Sequence, residues 1–539
     1  MNFLKNHSDI TQNFTEAVDR IAPRVLTQVC RDESSPTFGS FDRNWWHYKI
    51  RDFSSIIVQQ GGYFLAELAK LPAYASSQDR LNEIAVGSGA FWLKRAQAKG
   101  AFEEYYPWEQ GYPPVAFSSL AVGKMVKSGL LSLEELEPGL LSAAKQLSTR
   151  FESQAGNQQV AGLAALAVIR DLLPEACSEK EFDELANRTL ELQDEEGWYE
   201  EYDGPDLGYL AVTIDCLWDL YDVTGSEKFL QSAEKALSYI HRVVSWLGGS
   251  PGMLNARNTD YLVPYGLVRF AVKGQGASVA MAQELIAILY QDLDSPQHFL
   301  AAIDDRYLCH YIGHSFVRAL HLLRESSEEE GQQSSAVSNP LSQDLLSCGY
   351  RLWEGAGGRG IFATHKGGCF LWSRGEQVVA DYGWLVHHGS EAAVNHWWSR
   401  DWKAQDGEGN YGVSGNLFEH SSATSSPLKH IVLRVLSFLF GRHLIGFLKS
   451  KLIFKSGSGS IGFSRQLQVE GESLVVVDKF SNLPSAATIK RAPRSSKRHV
   501  SSADSYHLED LLLCQNLILN EQREESSEGV IVTTTYSLT

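Results

Sequence analysis

A chain of 539 residues, 43% hydrophobic and 21% charged, is too long for one ordinary core and too apolar to be disordered, so two domains, or one large ring plus a second layer, are expected. Its 65 acidic and 48 basic residues leave a net charge of −17, which argues against nucleic acid or an anionic membrane as the main partner and still allows a local basic patch. Seven scattered cysteines with no CxxC pair exclude a disulfide framework and a zinc site; no metal and no cofactor are expected.

The start, MNFLKNHSDITQNF, lacks the basic segment and apolar core of a secretory signal, which predicts a cytoplasmic protein, or a periplasmic one only if the N-terminus is incomplete. Next comes FDRNWWHYKIRDF, Phe41 to Phe53. Aromatic faces stack on sugar rings and an arginine grips a carboxylate bidentately, so Trp45, Trp46, His47, Tyr48 and Arg51 fit a glycan-binding wall. They equally fit a packed N-terminal arm with Arg51 and Asp52 as surface charges. From residue 54 to residue 350, segments such as SSIIVQQGGYFLAELAKL, VAGLAALAVIRDLL and SEKFLQSAEKALSYIHRVVSWL repeat apolar residues at helical spacing. Roughly a dozen helices in hairpins, recurring at the period of helical arrays, predict a ring of six pairs or an open solenoid.

Within that region three stretches carry chemistry. QDEEGWYEEYDGPDLGY reads as a helix-end clamp over Gln193 to Trp198, with Tyr202, Asp206 and Tyr209 lining the mouth of the ring. NARNTDYLVPYG places Asn258 and Tyr261 at a loop-to-helix junction, where an asparagine or threonine is also an ordinary helix cap. DDRYLCHYIGHSF sets His310 and His314 at i and i+4, hence on one helix face, without the glutamate of HExxH chemistry.

A polar linker over Glu325 to Pro340 precedes a change of composition. From GGRGIFATHKGGCFLWSRGEQVVADYGWLVHHG to GVIVTTTYSLT, short β-branched and aromatic runs alternate with Gly and Ser turns, which predicts an antiparallel sandwich. The fold class is therefore α+β multidomain, a helical (α/α) toroid over residues 1–350 followed by an antiparallel β-sandwich domain over residues 351–539. In DYGWLVHHGSEAAVNHWWSRDWK most tryptophans are expected in the sandwich core, and one histidine is placed to reach across the domain seam. IVLRVLSFLFGRHLIGFL is interrupted by Arg434, Arg442 and His443, so an amphipathic or buried helix is expected rather than a transmembrane segment. KRAPRSSKRH, Lys490 to His499, reads as a solvated basic loop or a dock for an acidic glycan.

With YDGPDLGYLAVTIDCLWDLYD, NARNTDYLVPYGL, HKGGCFLWSRGEQVVADYGW and LVVVDKF in this order, the chain resembles the heparinase II/III-like polysaccharide lyases. The resemblance implies a helical toroid, a β domain and cleavage of an acidic polysaccharide or oligosaccharide by proton abstraction and β-elimination. Such a reaction needs a group that neutralises the uronate carboxylate, a base and an acid. Asn258 is the candidate neutraliser, Tyr261 and His310 or His314 the base and acid, and Trp45, Trp46, His47, Tyr48, Arg51, Tyr202, Asp206 and Tyr209 the sugar contacts. Two other readings stay open: a non-catalytic glycan-binding or assembly protein in cytoplasmic polysaccharide synthesis, and a toroidal glycoside hydrolase using a carboxylate pair.

Overall fold

The computed structural model describes residues 7–97, 102–296, 298–326, 344–355, 357–375, 377–389, 391–405, 410–420, 425–441, 443–444, 457–492, 518–527 and 529–537. The helices run α1 (His7–Gln28), the single turn α2 (Arg43–Trp46), α3 (Gln60–Leu68), α4 (Gln78–Gln97), α5 (Tyr112–Lys127), α6 (Leu133–Ser148), α7 (Gly156–Leu172), α8 (Glu179–Leu190), α9 (Leu207–Thr224), α10 (Glu227–Leu247), α11 (Tyr265–Lys273), α12 (Ala277–Leu289), the short α13 (Phe299–Ala302) and α14 (Asp305–Tyr307), and α15 (Gly313–Glu325).

These helices close into a ring. Around its inside, α3 packs on α5, α5 on α7, α7 on α9, α9 on α11, α11 on α15, and α15 back on α3. Outside them α4, α6, α8, α10 and α12 each pair with the preceding inner helix, and the sixth pair joins α15 to α1 from the other end of the domain. The two layers differ in composition as their positions require. Every residue of α3 is buried, and α9 buries an unbroken run from Leu207 to Leu220. On α7, GNQQVAGLAALAVIRDL, small residues allow close approach: a Cβ on Gly162 would lie 2.3 Å from the Tyr112 hydroxyl, and one on the facing Gly123 2.8 Å from Val168. The outer α8 and α10 keep a polar face to solvent, and α8 opens with a Ser178–Glu181 capping box.

The second half is antiparallel throughout. A four-stranded sheet has the order β1 (Tyr350–Gly355), β2 (Gly358–Ala363), β3 (Cys369–Arg374), β4 (Gln377–Asp381). The larger sheet is built from β5 (Trp384–His388), β6 (Glu391–Val394), β7 (Lys403–Ala404), β8 (Asn410–His420), β9 (Ser458–Glu470), β10 (Ser473–Ser481), β11 (Thr488–Arg491), β12 (Ile518–Ser526) and β13 (Gly529–Ser537), in the order β11-β5-β6-β8-β9-β10-β13-β12 with β7 beside β8. Between β8 and β9 lies α16 (Pro427–Phe440).

The small sheet is the middle layer of the molecule, because side chains alternate across a strand. Leu352, Ile361, Ala363 and Leu371 point into the core of the ring, whereas their neighbours Trp353, Phe362, Phe370 and Trp372 join the core shared with the large sheet. In that second core Arg465 is fully buried and ion-paired to Asp478 at 2.6 Å and to Asp381 at 2.9 Å. The expected basic loop begins in the same network: Arg491 reaches Asp381 at 3.1 Å and Glu521 at 2.8 Å, so it is structural, while residues 493–499 lie outside the described residues. Among the described residues no helix is long and apolar enough to cross a membrane.

Candidate active site at the mouth of the ring

At one end of the ring the joins are short, over residues 69–77, 128–132, 173–178, 225–226 and 274–276. At the other end five of the six connections are longer, over 29–59, 98–111, 191–206, 248–264 and 290–312, with a shorter one over 149–155, and the inner helices all start there. Six helix N-termini with their positive dipole ends therefore face this mouth, a field that favours an anion.

The small sheet docks at the same end. Trp246 Nε1 donates to the Gly360 carbonyl at 2.9 Å, Ser373 Oγ to that of Leu247 at 3.0 Å, and Tyr350 OH to that of Leu254 at 2.9 Å. Lys366, buried on the β2–β3 connection, donates to the carbonyls of Met253 and Asn255 and to Oδ1 of Asn258. Trp398 closes the seam against Gly204, where an added Cβ would lie 2.3 Å from the indole.

Asp206 organises the floor of the mouth. It caps α9 through the Tyr209 amide at 3.3 Å, and its carboxylate also accepts from the Arg257 amide at 3.0 Å and from the Thr259 hydroxyl. Burial raises its pKa against these donors. The 248–264 loop is thus folded around Asp206, with Asn258 in the left-handed region at φ 60°.

This turn directs Arg257 inward. Its guanidinium stacks 3.8 Å over the Tyr209 ring and 5.0 Å from that of Tyr202, and Nη1 reaches Glu201 at 3.2 Å. Burial pushes Glu201 up to about 7 even though Arg257 pulls the other way.

Beside Arg257 stands a group of phenols. Tyr261 and Tyr311 share a 2.7 Å hydrogen bond, and the Tyr209 ring lies 5.9 Å from Tyr261 and 6.3 Å from Tyr311. Burial holds the Tyr261 and Tyr311 hydroxyls well above the ordinary phenol pKa, so these two are proton donors rather than bases in the free protein, and Tyr209 is buried in the same layer.

His310 sits next to this group, 5.0 Å from the half-buried Tyr307 and 6.1 Å from Tyr311 between ring centroids. Its Nε2 is buried and has no hydrogen-bond partner among the described residues. Burial, reinforced by Arg306, drives its pKa well below 6.5, so the imidazole is neutral.

His314 differs from the expectation of a shared helix face. Residues Leu308–Ile312 form a π-helical turn in which His310 leaves helical geometry at ψ −149°, so the two histidines face different surroundings. His314 lies on the ring axis at 3.3 Å from Gln60 Oε1, in a network where Arg318 reaches Asp219 at 2.6 Å and Ser315 reaches Asp215 at 2.7 Å. The cavity there is about 10 Å³, room for one water.

The other predicted contacts divide. Trp45 packs on Phe91 at 5.7 Å, Trp46 donates to the Gln28 carbonyl at 2.7 Å, and Asp42 holds the Arg51 guanidinium, so these three belong to the packed arm. His47 and Tyr48 are exposed on the same turn. Tyr209 meets Tyr261, Tyr202 and Tyr209 both meet Arg257, and Asp206 holds the Arg257 amide, while the side-chain oxygen of Asn258 is engaged by Lys366. In the β domain Trp384, Trp397 and Trp402 are core; of the three histidines in that stretch His387 is exposed, His388 half-buried and His396 buried, and His365 lies 5.2 Å from Trp398 at the seam.

Arg257, Arg306, Tyr307 and Tyr311 were not singled out from sequence, nor was the loop FEEYYPWEQ. In that loop Glu109 accepts from the amides of Glu104 and Tyr105 at 2.9 and 2.7 Å, and Tyr105 projects into solvent, 61% exposed, beside Arg306 and Tyr307. The available signal was density: acids and aromatics crowd there as in the Gln193 segment.

The fold and site define a class, a closed toroid of helical hairpins followed by antiparallel β layers, with its polar and aromatic groups gathered at one mouth. No family model matches the chain, and no curated protein matches it. Among solved structures it is similar to the chondroitin AC lyase of Streptomyces coelicolor A3, determined in complex with chondroitin sulphate, at 10% sequence identity and a TM-score of 0.47, over 89% of this chain and 67% of that one.

Proposed function

We propose that the chain is a carbohydrate-active enzyme of the lyase type, as its resemblance to heparinase II/III-like proteins suggests, acting on an acidic polysaccharide or oligosaccharide at the mouth of the ring. The observation that carries the reading is the bare, neutral Nε2 of His310 set beside Arg306 and among protonated phenols, of which Tyr311 in turn lies near Arg257. In a β-elimination the base removes the proton on the carbon next to the uronate carboxylate, the glycosidic C–O bond breaks, and the departing oxygen takes a proton from an acid.

His310 is the base and Tyr307, its half-exposed neighbour, the acid. Arg257 and Arg306 stabilise the charge that grows on the carboxylate, replacing Asn258 in that role. An anionic substrate beside His310 raises its basicity from the depressed value of the free protein. Tyr105, 61% exposed, offers a ring face to the sugar, while Tyr202 and Tyr209 hold the Arg257 guanidinium in place.

The test is ultraviolet absorbance at the unsaturated-uronate band on a panel of acidic polysaccharides, with wild type, His310→Gln and Tyr307→Phe. A rise lost in both variants is expected. Glycan binding without any rise would instead assign the protein to non-catalytic binding or assembly, and reducing ends formed without unsaturation to a hydrolase.

A further inference from the structure

The loop that carries Arg257 is gripped from two sides, and the two grips are chemically complementary. From the ring, Asp206 serves donors, accepting from the Arg257 amide at 3.0 Å and from the Thr259 hydroxyl. The same side pairs the Ala256 amide with the Pro205 carbonyl at 2.7 Å and the Leu207 amide with Oδ1 of Asn255 at 3.1 Å. The other side of the loop presents oxygens: the carbonyls of Met253 and Asn255, and Oδ1 of Asn258, whose φ of 60° turns the chain there. Lys366, only 2% exposed, donates from its ammonium to all of them.

A rigid turn of the β domain delivers that lysine. Gly367 and Gly368 follow it at φ 58° and 76°, a region glycine enters without strain. A Cβ on Gly367 would lie 2.3 Å from the Asn395 carbonyl, and one on Gly368 2.8 Å from the Phe362 ring. The Gly367 carbonyl accepts from Asn395 Nδ2 at 2.8 Å, and that of Gly368 from the buried Arg465 at 3.1 Å. A continuous line of contacts therefore runs from the β core through this turn to the ammonium, then to the loop and to Arg257.

We infer that Lys366 is a positioning residue, through which the β domain sets the loop conformation that aims the Arg257 guanidinium over the Tyr209 ring at the mouth. The ring supplies the arginine, and the β domain fixes where it points. The inference deepens the lyase reading, on which the binding measurement below rests; the crystallographic one does not depend on it.

Lys366→Met, similar in length but without donors, tests it in two ways. Its crystal structure is expected to show Arg257 displaced from its 3.8 Å stack on Tyr209. Calorimetric titration with glucuronate, a simple carboxylate sugar, should show binding weakened about ten- to a hundredfold, the worth of a hydrogen bond to a charged group. In an Arg257→Met background the same substitution should change the affinity by less than about twofold, because a residue acting through Arg257 then has nothing left to position. If Lys366→Met fails to fold, Lys366→Gln, which keeps an N–H donor group on a shorter stem, carries both measurements. A guanidinium still stacked on Tyr209 in the variant overturns the inference, as does a Lys366→Met effect that adds in full to that of Arg257→Met. A wild type that binds no glucuronate counts against the lyase reading, and the crystal structure of the variant then decides the positioning role by itself.

Discussion

Replacing His310 by Leu separates a catalytic histidine from a structural one. At neutral pH the substitution removes a buried ring nitrogen that has no hydrogen-bond partner among the described residues, in exchange for an apolar side chain of similar size. Leaving such a polar atom buried costs about 1–3 kcal/mol, so the variant should be as stable as the wild type or more stable by up to that amount. Acid should reveal a second difference. The His310 pKa is lowered on folding by burial and by Arg306, so below 6.5 the unfolded chain binds a proton that the folded one does not. Stability then falls as pH drops, by about 1.4 kcal/mol for each unit, until the folded-state value is reached. The variant lacks this term and should lose stability less steeply on acidification. Elimination activity should fall by roughly two to four orders of magnitude, the contribution of a general base. Urea unfolding followed by tryptophan fluorescence at several pH values, beside the uronate assay, measures all three. Equal acid slopes in the two proteins, or a variant destabilised at neutral pH with activity retained, would refute the reasoning.

Arg257→Met should destabilise the ring by about 3–5 kcal/mol, because Glu201 is left buried without its cation, and should weaken binding of acidic glycans; thermal melting and glycan titration read the two effects. Arg465→Met strands Asp381 and Asp478 in the β core, with a similar loss expected in the melting temperature. Burial alone would raise the Asp381 pKa, but Arg465 and Arg491 outweigh it and hold it below 3.8; its contribution to stability is present above that value and lost as pH falls through the lower folded-state one, which acid unfolding of the wild type should show. Gly204→Ala puts a methyl into the buried indole of Trp398 and should cost about 1–3 kcal/mol, seen as a lower melting temperature.

The hairpins of the ring were legible because a helix half in water writes its period into the chain, as α10 does in EKFLQSAEKALSYIHRVVSWL. The β half was legible through its alternation. Closure was not, since it depends on α1 meeting α15 across nearly the whole domain. The site was legible as a neighbourhood: Tyr209, Tyr261 and His310 do gather, but a loop such as NARNTDY does not state which side chain turns inward, and Asp206 selects Arg257 over Asn258. Spacing also failed at His310 and His314, because a single π-helical turn breaks the register that the i, i+4 rule assumes.

The pairing of α1 with α15 has a consequence for biogenesis. A growing chain presents five hairpins in order, yet the wall that completes the circle waits for Gly313–Glu325 to arrive and find a helix made at the very beginning. Until then the flanks of α3 and α11 that α15 will cover remain bare to solvent, and the slowest step is set by loop-closure entropy over almost the entire domain. A permuted gene that fuses α15 directly ahead of α1 would make that last contact local, and should fold faster to the same closed circle.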